Sequence, residues 1–249
     1  MRQPPKLTVY SPQNQIYASN NLTLYLTAEI GDLPQESVFG QVGISEIYLE
    51  SDWITNSVAI KTNDTYKDVM SHVPLYPVNA TYGLIDIPDG NHSLRITAVE
   101  TGMAGWNENS GAAAYDINVN ASVTVNFAID TEPPKIEILS IGNKTYGTTE
   151  LSLEFNVNEM PSQIWYNLDN IGNTTIDGNT TLSDLTYGSH SLILYANDTV
   201  GNTGTTENIG FTVSKSEPFP WLLIAVVSMV VVAVAAMIYL KKREQDVRT

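Results

Sequence analysis

The sequence predicts an all-β protein with two β-sandwiches in tandem, followed by a single transmembrane α-helix. Three observations lead to this prediction. Apolar and polar residues alternate along much of the chain before residue 215, which is the period of a half-buried strand. One sequence unit occurs twice. Near the C-terminus, twenty consecutive residues carry no charge, which is enough to cross a bilayer as a helix.

Two pairs of segments show the repeat. Residues 4–28 (PPKLTVYSPQNQIYASNNLTLYLTA) align without gaps with residues 133–157 (PPKIEILSIGNKTYGTTELSLEFNV) and share Pro-Pro-Lys, Ser, Asn, Tyr and two Leu positions. Residues 88–101 and 186–199 share a glycine, the tripeptide His-Ser-Leu and a later alanine. Because self-similarity of this kind marks a repeated structural unit, we predict two copies of one fold.

The hydrophobic period inside each unit is two. In the longest run, residues 117–129, every second residue from Ile117 to Ile129 is apolar. No amphipathic helix pattern appears before residue 220, and turn-forming residues are frequent between the runs. This spacing is typical of a sandwich of about seven strands. We predict one sandwich over residues 1–130, with long insertions, and a second over residues 131–214.

The apolar segment lies at residues 221–240 (WLLIAVVSMVVVAVAAMIYL). At about 1.5 Å per residue a helix of this length spans a bilayer core. Trp221 and Tyr239 occupy its ends, where aromatic side chains prefer the headgroup region. A basic stretch follows at once. The positive-inside rule therefore places the tail, residues 241–249, in the cytoplasm and the sandwiches outside the cell, joined to the helix by a linker at residues 215–220.

The first residues, MRQPPKLTVYSP, contain no apolar signal-peptide core. We therefore expect either a fragment or misassigned start, or a tail-anchored protein with its domains in the cytoplasm. The first of these is favoured, because a strand-like repeat already begins at residue 4.

Several short pieces of the second unit match a known pattern in order and spacing. These pieces are Pro133-Pro134, Asn143-Lys144-Thr145-Tyr146, Tyr166-Asn167-Leu168-Asp169, Gly178-Asn179-Thr180-Thr181-Leu182, Leu185, Gly188-Ser189-His190-Ser191-Leu192, Tyr195-Ala196-Asn197-Asp198, Gly201-Asn202 and Phe211-Thr212-Val213. The unit resembles the Ig-like, fibronectin-III-like repeats of archaeal and some bacterial surface proteins. The repeats, apolar span and basic tail together are similar to archaeal membrane-anchored surface proteins. The resemblance implies two tandem Ig-like/fibronectin-III-like β-sandwiches at the cell surface, and it implies no ligand, because such folds host many functions.

Composition excludes several classes of function. The chain has no cysteine, so it has no disulfide framework, Cys-ligated zinc site or thiol nucleophile. A net charge of −15 repels nucleic acid phosphates. No Ser-His-Asp arrangement, glycine-rich phosphate loop or metal-spaced histidine cluster is present in the sequence. We therefore expect no enzymatic activity, no catalytic residue, no cofactor and no nucleic-acid partner.

The chain has three histidines, and two of them occupy equivalent positions in the repeats. His92 and His190 each open an alternating strand run. In related sandwiches a tyrosine near the start of this strand hydrogen-bonds a backbone group a few residues upstream, forming a tyrosine corner. We interpret both histidines as an imidazole version of that corner. His72 stands alone in an insertion of the first unit and is predicted to lie at the surface.

Residues 198–202 (DTVGN) offer oxygen atoms that suit calcium, but they lack the regular spacing and terminal Glu of an EF-hand loop. We predict a hairpin turn in which Asp198 and Asn202 hydrogen-bond the backbone and Gly201 has a positive φ. Calcium near Asp130 and Glu132 remains an alternative, because the extramembrane part of the chain is strongly acidic.

Aromatic residues cluster in the extra segments of the first unit, at residues 50–87 and 101–116. On an exposed loop such rings stack on sugars or contact another protein, whereas in the core they only pack. The candidate ligand-contact residues are Trp53, Tyr66, Tyr76, Tyr82 and Trp106.

Nine Asn-X-Ser/Thr sequons occur outside the apolar span, more than Asn- and Thr-rich composition alone predicts. They are candidate N-glycosylation sites, and we expect Asn21 and Asn120 on the outward faces of their strands. The full set is Asn21, Asn63, Asn79, Asn91, Asn120, Asn143, Asn173, Asn179 and Asn197.

These observations favour a membrane-anchored extracellular protein of the structural or adhesion type, acting through surface contacts. Its expected partners are the membrane and either surface-layer proteins or glycans. Two alternatives stay open. One is a glycan- or ligand-binding module that uses the long loops of the first unit, and the other is the non-catalytic C-terminal part of a longer surface enzyme.

Overall fold

The computed structural model describes residues 3–32, 39–60, 67–68, 77–108, 111–215 and 221–247. The described residues form β-strands followed by one C-terminal helix. In the first repeat the strands are β1 (Lys6–Ser11), β2 (Ile16–Tyr17), β3 (Leu22–Glu29), β4 (Phe39–Ser51), β5 (Val58–Ile60), β6 (Lys67–Asp68), β7 (Val78–Leu84), β8 (Gly90–Glu108) and β9 (Gly111–Ile129).

The second repeat continues with shorter strands. They are β10 (Ile136–Ile138), β11 (Thr145–Tyr146), β12 (Leu151–Leu153), β13 (Phe155–Val157), β14 (Gln163–Leu168), β15 (Asn173–Ile176), β16 (Thr180–Leu182), β17 (Gly188–Asn197), β18 (Thr203–Thr205) and β19 (Ile209–Val213). The helix, α1, is Trp221–Val247.

The larger sheet has the same strand order in both repeats. In the first, one sheet runs β1-β3-β7 and the other runs β2-β9-β8-β4-β5, with β6 also paired to β4. In the second, β10 pairs β13, β12 pairs β16, and the larger sheet runs β11-β19-β17-β14-β15, with β18 paired to β17. In each repeat a two-residue strand lies parallel to the last strand, β2 on β9 and β11 on β19. The internal similarity predicted from the sequence is thus present in the topology.

The alternating pattern places one face of each strand in a core. In the first repeat, leucine and isoleucine side chains from β3, β4 and β8 meet in one cluster, including Leu24, Ile47 and Ile96, each fully buried or nearly so. In the second repeat β17 buries Leu192 and Leu194 completely, and Ile193 between them is half-buried. The period-two prediction is confirmed at these strands.

One predicted insertion has a different structure. Residues 101–116 were expected to form a long loop, but β8 continues to Glu108 and β9 begins at Gly111. The two strands pair without a register shift from Gly90↔Ile129 to Glu108↔Gly111. The loop prediction is wrong because backbone pairing, rather than a hydrophobic pattern, keeps this glycine- and alanine-rich segment extended.

The chain divides into two compact units. Unit 1 comprises Met1–Ile136, Val157–Trp165 and Leu194–Thr206, and unit 2 comprises Glu137–Asn156, Tyr166–Ile193 and Glu207–Thr249. The sandwich boundary near residue 130 stays a prediction from the sequence. Within unit 1, Gly204 on β18 is buried against the backbone of Pro134, and a Cβ added to this glycine would lie 1.8 Å from the Pro134 carbonyl oxygen. Only a glycine fits there without displacing the backbone.

The helix has no polar face in its apolar part. Residues Ile224–Arg243 form the one helix among the described residues that is long and apolar enough to cross a membrane. None of that span is buried, and Val231 and Ile238 are more than 60% exposed. The helix is therefore not the buried core helix of a soluble fold.

Candidate functional site

The two histidines at equivalent positions of the repeats form the same structure. His92 lies near the start of β8, with Nε2 2.6 Å from the Pro88 carbonyl oxygen. His190 lies near the start of β17, with Nε2 2.7 Å from the Thr186 carbonyl oxygen. Each ring thus donates to a backbone carbonyl four residues upstream, which confirms the prediction of an imidazole corner.

An aspartate completes each corner. Asp52 Oδ2 lies 2.8 Å from His92 Nδ1, and Asp169 Oδ2 lies 2.7 Å from His190 Nδ1. The second carboxylate oxygen of Asp169 accepts the backbone N–H of Ser191 at 2.8 Å. Neither aspartate was predicted from the sequence as a partner of its histidine. A signal was available, because the segments IYLESD (47–52) and IWYNLD (164–169) align without gaps and place an aspartate directly after β4 and β14.

The corners leave no ring nitrogen for chemistry. Both nitrogens of each ring already face an oxygen acceptor, and an aromatic ring packs beside each imidazole, Phe127 at 5.9 Å from His92 and Phe211 at 5.2 Å from His190. A general base or a metal ligand needs a free nitrogen lone pair. The corners therefore fasten the loop before the strand to the strand itself, and they are structural.

The protonation of His190 follows from its partners. Burial lowers the pKa of His190, but the hydrogen bond to the Thr186 carbonyl, the hydrogen bond to Asp169 and the charge of Asp169 outweigh it, and the pKa of the ring is raised above its ordinary value. A carbonyl and a carboxylate can only accept hydrogen bonds, so the doubly protonated ring satisfies both contacts. In the first repeat, burial raises the pKa of the Asp52 carboxyl, but hydrogen bonds from His92 and from the Ser93 backbone outweigh this effect. The pKa of Asp52 is therefore lowered from its ordinary value.

The His190 corner should make stability fall with alkalinity. Because the folded-state pKa is raised, the stabilisation is fully present below the unfolded pKa of about 6.5 and is lost as pH rises through the folded pKa. We expect the free energy of unfolding of the full chain to fall by about 1.5 kcal/mol over this window, the value of a hydrogen bond to a charged group. Denaturant titrations at several pH values test this.

The matched variant is His190→Gln, which replaces the imidazole by an amide that can still donate a hydrogen bond but does not titrate near neutral pH. Its unfolding free energy should show a weaker decline over the same window than that of the wild type. Equal declines in the two proteins would contradict an ionised corner.

The turn after β17 has the predicted form. Asp198 is 3% exposed, and its Oδ1 accepts the backbone N–H groups of Val200, Gly201 and Asn202 at 2.7–2.9 Å. Its Oδ2 accepts Asn202 Nδ2 at 2.7 Å, and Gly201 has a φ of 99°. Burial raises the pKa of Asp198, but these four donors outweigh it and hold the pKa below its ordinary value. The hairpin-turn prediction is confirmed.

A group of carboxylates lies beside this turn within unit 1. One carboxylate oxygen each from Asp130, Glu159 and Asp198 lie within 4.8 Å of one another. Asn202 Nδ2 also donates to the Asp130 carbonyl oxygen at 2.8 Å. Among the described residues the group includes Asp130 from the calcium prediction, but Glu159 rather than Glu132. Hard oxygen ligands suit calcium, yet the Asp198 oxygens already accept four hydrogen bonds, and calcium binding stays a prediction.

The described aromatic candidates pack against the core. The Trp53 ring makes edge contacts with His92 and Phe127, with centroids 5.0 and 5.7 Å apart. Tyr82 also packs against the core of the first repeat. Tyr66 and Tyr76 lie outside the described residues, as does His72, and the side chain of Trp106 on β8 is not described either. Ligand contact by these five residues stays a prediction.

Most candidate glycosylation sites are exposed. Asn120 points outward from β9 as expected, and Asn21 is exposed directly before β3. Asn79, Asn91, Asn143, Asn173 and Asn179 are also exposed, Asn197 is half-buried, and Asn63 lies outside the described residues. Accessibility is required for modification and does not demonstrate it, so glycosylation stays a prediction.

The strand order settles the type of sandwich. In the first repeat β1, β3 and β7 share one sheet and β4, β8 and β9 share the other, which is the arrangement of immunoglobulin-type sandwiches. The larger sheet of the second repeat has the same order, and its smaller sheet is divided into the pairs β10–β13 and β12–β16. The fold is Ig-like. No protein-family model matches the sequence, and no curated protein matches it.

Solved structures similar to this chain contain fibronectin-III and Ig-like domains. The fibronectin(III)-like modules of Clostridium thermocellum CbhA are 12% identical, with a TM-score of 0.36, covering 86% of this chain and 98% of that one. A solved chain from a 1.5-MDa bacterial ice-binding adhesin is 12% identical, with a TM-score of 0.36, covering 87% of this chain and 67% of that one. The FN1–FN3 domains of chicken CNTN1 are 13% identical, with a TM-score of 0.33, covering 85% and 69%. Similarity at this level carries no argument about function.

Proposed function

We propose that this chain is a non-catalytic surface protein, held in the membrane by α1, whose Ig-like sandwiches act outside the cell through surface contacts. The observation that supports it best is the apolar helix, whose described side chains stay exposed from Ile224 to Leu240. A valine-rich surface of this length is unfavourable in water and favourable in lipid. The fully engaged histidine corners add a second argument, because they offer no free catalytic nitrogen.

The membrane anchor predicts how the full chain partitions. In a detergent phase-separation assay we expect the wild type in the detergent phase. The variant Val231→Asp/Val234→Asp places two carboxylates near the helix centre, each costing about 3 kcal/mol in a bilayer, and we expect it in the aqueous phase. The control Thr148→Asp/Thr181→Asp adds the same charge at exposed sites in the second repeat and should partition like the wild type. Wild-type protein in the aqueous phase would contradict the anchor.

Topology is tested separately, because partitioning does not report sidedness. The sequence has no cysteine, so single-cysteine variants can be labelled without background. Thr148→Cys in the second repeat should react with a membrane-impermeant maleimide on intact cells, whereas Asp246→Cys in the tail should react only after lysis. The reverse pattern would place the sandwiches in the cytoplasm and overturn the proposed surface role.

A further inference from the structure

The outer edge of β9 is long and largely unpaired. Among the described strands, β9 lies between β8 on one side and the two-residue β2 on the other. β2 covers only Ala128 and Ile129. In the second repeat the strand at this position is interrupted, because β18 (Thr203–Thr205) and β19 (Ile209–Val213) pair with different parts of β17. β9 is instead one continuous strand of 19 residues.

The direction of the backbone N–H and C=O groups along this edge follows from the residues beside β2. Ala128 N donates to the Gln15 carbonyl oxygen and Asp130 N donates to the Tyr17 carbonyl oxygen, both at 3.0 Å. Amide direction alternates along a strand. The N–H and C=O groups of the even-numbered residues therefore point out of the sheet edge, at Asn118, Asn120, Ser122, Thr124 and Asn126. They form the hydrogen-bonding pattern that another strand would complete.

The usual devices that protect an edge are missing here. Natural edge strands carry charges, proline or bulges, or they are short. Residues 117–129 (INVNASVTVNFAI) contain no charge and no proline. The pairing of β9 with β8 has no bulge. On the inward face Val119, Ala121, Val123 and Val125 are half-buried, and Val123 and Val125 pack against the core of the first repeat.

The residues of this edge are complementary to themselves. About a two-fold axis at Ala121, Val119 lies opposite Val123 of a second copy and Ile117 lies opposite Val125. On the outward face, Asn120 meets Ser122 and Asn118 meets Thr124. Every pair joins apolar to apolar or polar to polar. The backbone N–H and C=O groups of Asn120 and Ser122, which point out of the sheet edge, lie opposite each other, as an antiparallel hydrogen-bonded pair requires.

We propose that two copies of this chain pair antiparallel along the open edge of β9, about a two-fold axis at Ala121, so that their larger sheets join into one. Closed two-fold dimers are the commonest assemblies, and such an interface uses the same patch on both copies. The uncharged stretch at residues 117–129 suits self-pairing in a chain of net charge −15, because it brings no like charges together near the axis. The inference does not depend on membrane anchoring.

Disulfide trapping tests the register in the full chain, purified in detergent. Ala121→Cys would place a cysteine opposite itself across the axis, at a separation that a disulfide can bridge. We expect a disulfide-linked dimer to form about a hundredfold faster than for Ala59→Cys, because paired thiols have a high effective concentration. Ala59 is the matched control, as an exposed alanine on β5 at the opposite edge of the same sheet. Equal rates would overturn the proposal.

Charge pairing provides an independent measurement. Asn118→Lys/Thr124→Lys would place lysines opposite lysines, and light scattering should show a monomer. The variant Asn118→Glu/Thr124→Glu should also be monomeric, and an equimolar mixture of the two should dimerise, because each lysine then faces a glutamate. Thr23→Lys/Thr81→Lys, at exposed positions of the other sheet, should dimerise like the wild type. A wild-type monomer, or a mixture that stays monomeric while circular dichroism shows both variants folded, would refute this pairing.

Discussion

Replacing Asp198 by alanine is expected to lower the free energy of unfolding by about 4 kcal/mol. The substitution removes the acceptor for three backbone N–H groups and for Asn202 Nδ2, at a site where Asp198 itself is 3% exposed. Buried donors without an acceptor each cost about 1–3 kcal/mol. Denaturant titration of the full chain, followed by the fluorescence of its tryptophans, measures the loss.

Two comparison variants separate the turn from a general charge effect. Asp198→Asn keeps the shape but loses the negative charge, and we expect about half of the loss. Asp177→Ala, at an exposed aspartate, should change stability by less than about 0.5 kcal/mol. Because the folded-state pKa of Asp198 is lowered, its stabilisation is present above the unfolded pKa and is lost as pH falls through the folded pKa. The Asp198→Ala variant should therefore lose less stability on acidification than the wild type, and an equal loss would contradict this account.

Replacing Gly204 by alanine should destabilise the chain by about 3 kcal/mol, because the added Cβ would lie 1.8 Å from the Pro134 carbonyl oxygen. Backbone atoms have no alternative rotamer, so the strand or the proline segment must move. Thermal unfolding measured by circular dichroism should show the loss as a lower midpoint temperature.

Gly210 provides the matched control for this prediction. It lies on β19 with no atom within 4 Å of an added Cβ, so Gly210→Ala should be neutral or stabilising by about 0.5 kcal/mol. In the first repeat Gly31, where a Cβ would lie 1.9 Å from the Gln3 carbonyl oxygen, should behave like Gly204. Equal effects of the alanine substitutions at Gly204 and Gly210 would show that the close approach to Pro134 does not control stability.

The features that were predicted correctly depend on residues that lie close together in the sequence. The alternation at Leu192 and Leu194 requires one buried face, and both side chains are fully buried. The histidine corner was predictable because its acceptor lies only four residues upstream in the chain. The turn at Asp198 was predictable for the same reason, since its donors come from the next four residues.

Contacts between distant segments were not predictable from the same patterns. Asp52 and His92 are 40 residues apart, so no local spacing links them, and only the alignment of the two repeats indicates the aspartate. Glu159 joins Asp130 and Asp198 only through the fold. Glu100 has an inward position on β8 where the pattern predicts an apolar residue, and its buried carboxylate accepts the backbone N–H of Gly31 at 3.0 Å. Tertiary hydrogen bonds of this kind compensate for burying charge, but they leave no periodic signal.

The β8–β9 hairpin also has a consequence for the order of events during folding. Its first pair, Glu108↔Gly111, closes over two residues, and each later pair extends the one before it. Such local zippering proceeds in microseconds, whereas β2 reaches Ala128 only after a loop of more than 100 residues has closed. In a newly synthesised chain the outer side of β9 should therefore stay unpaired until β2 docks. During this interval, association of β9 with neighbouring chains competes most strongly with correct folding.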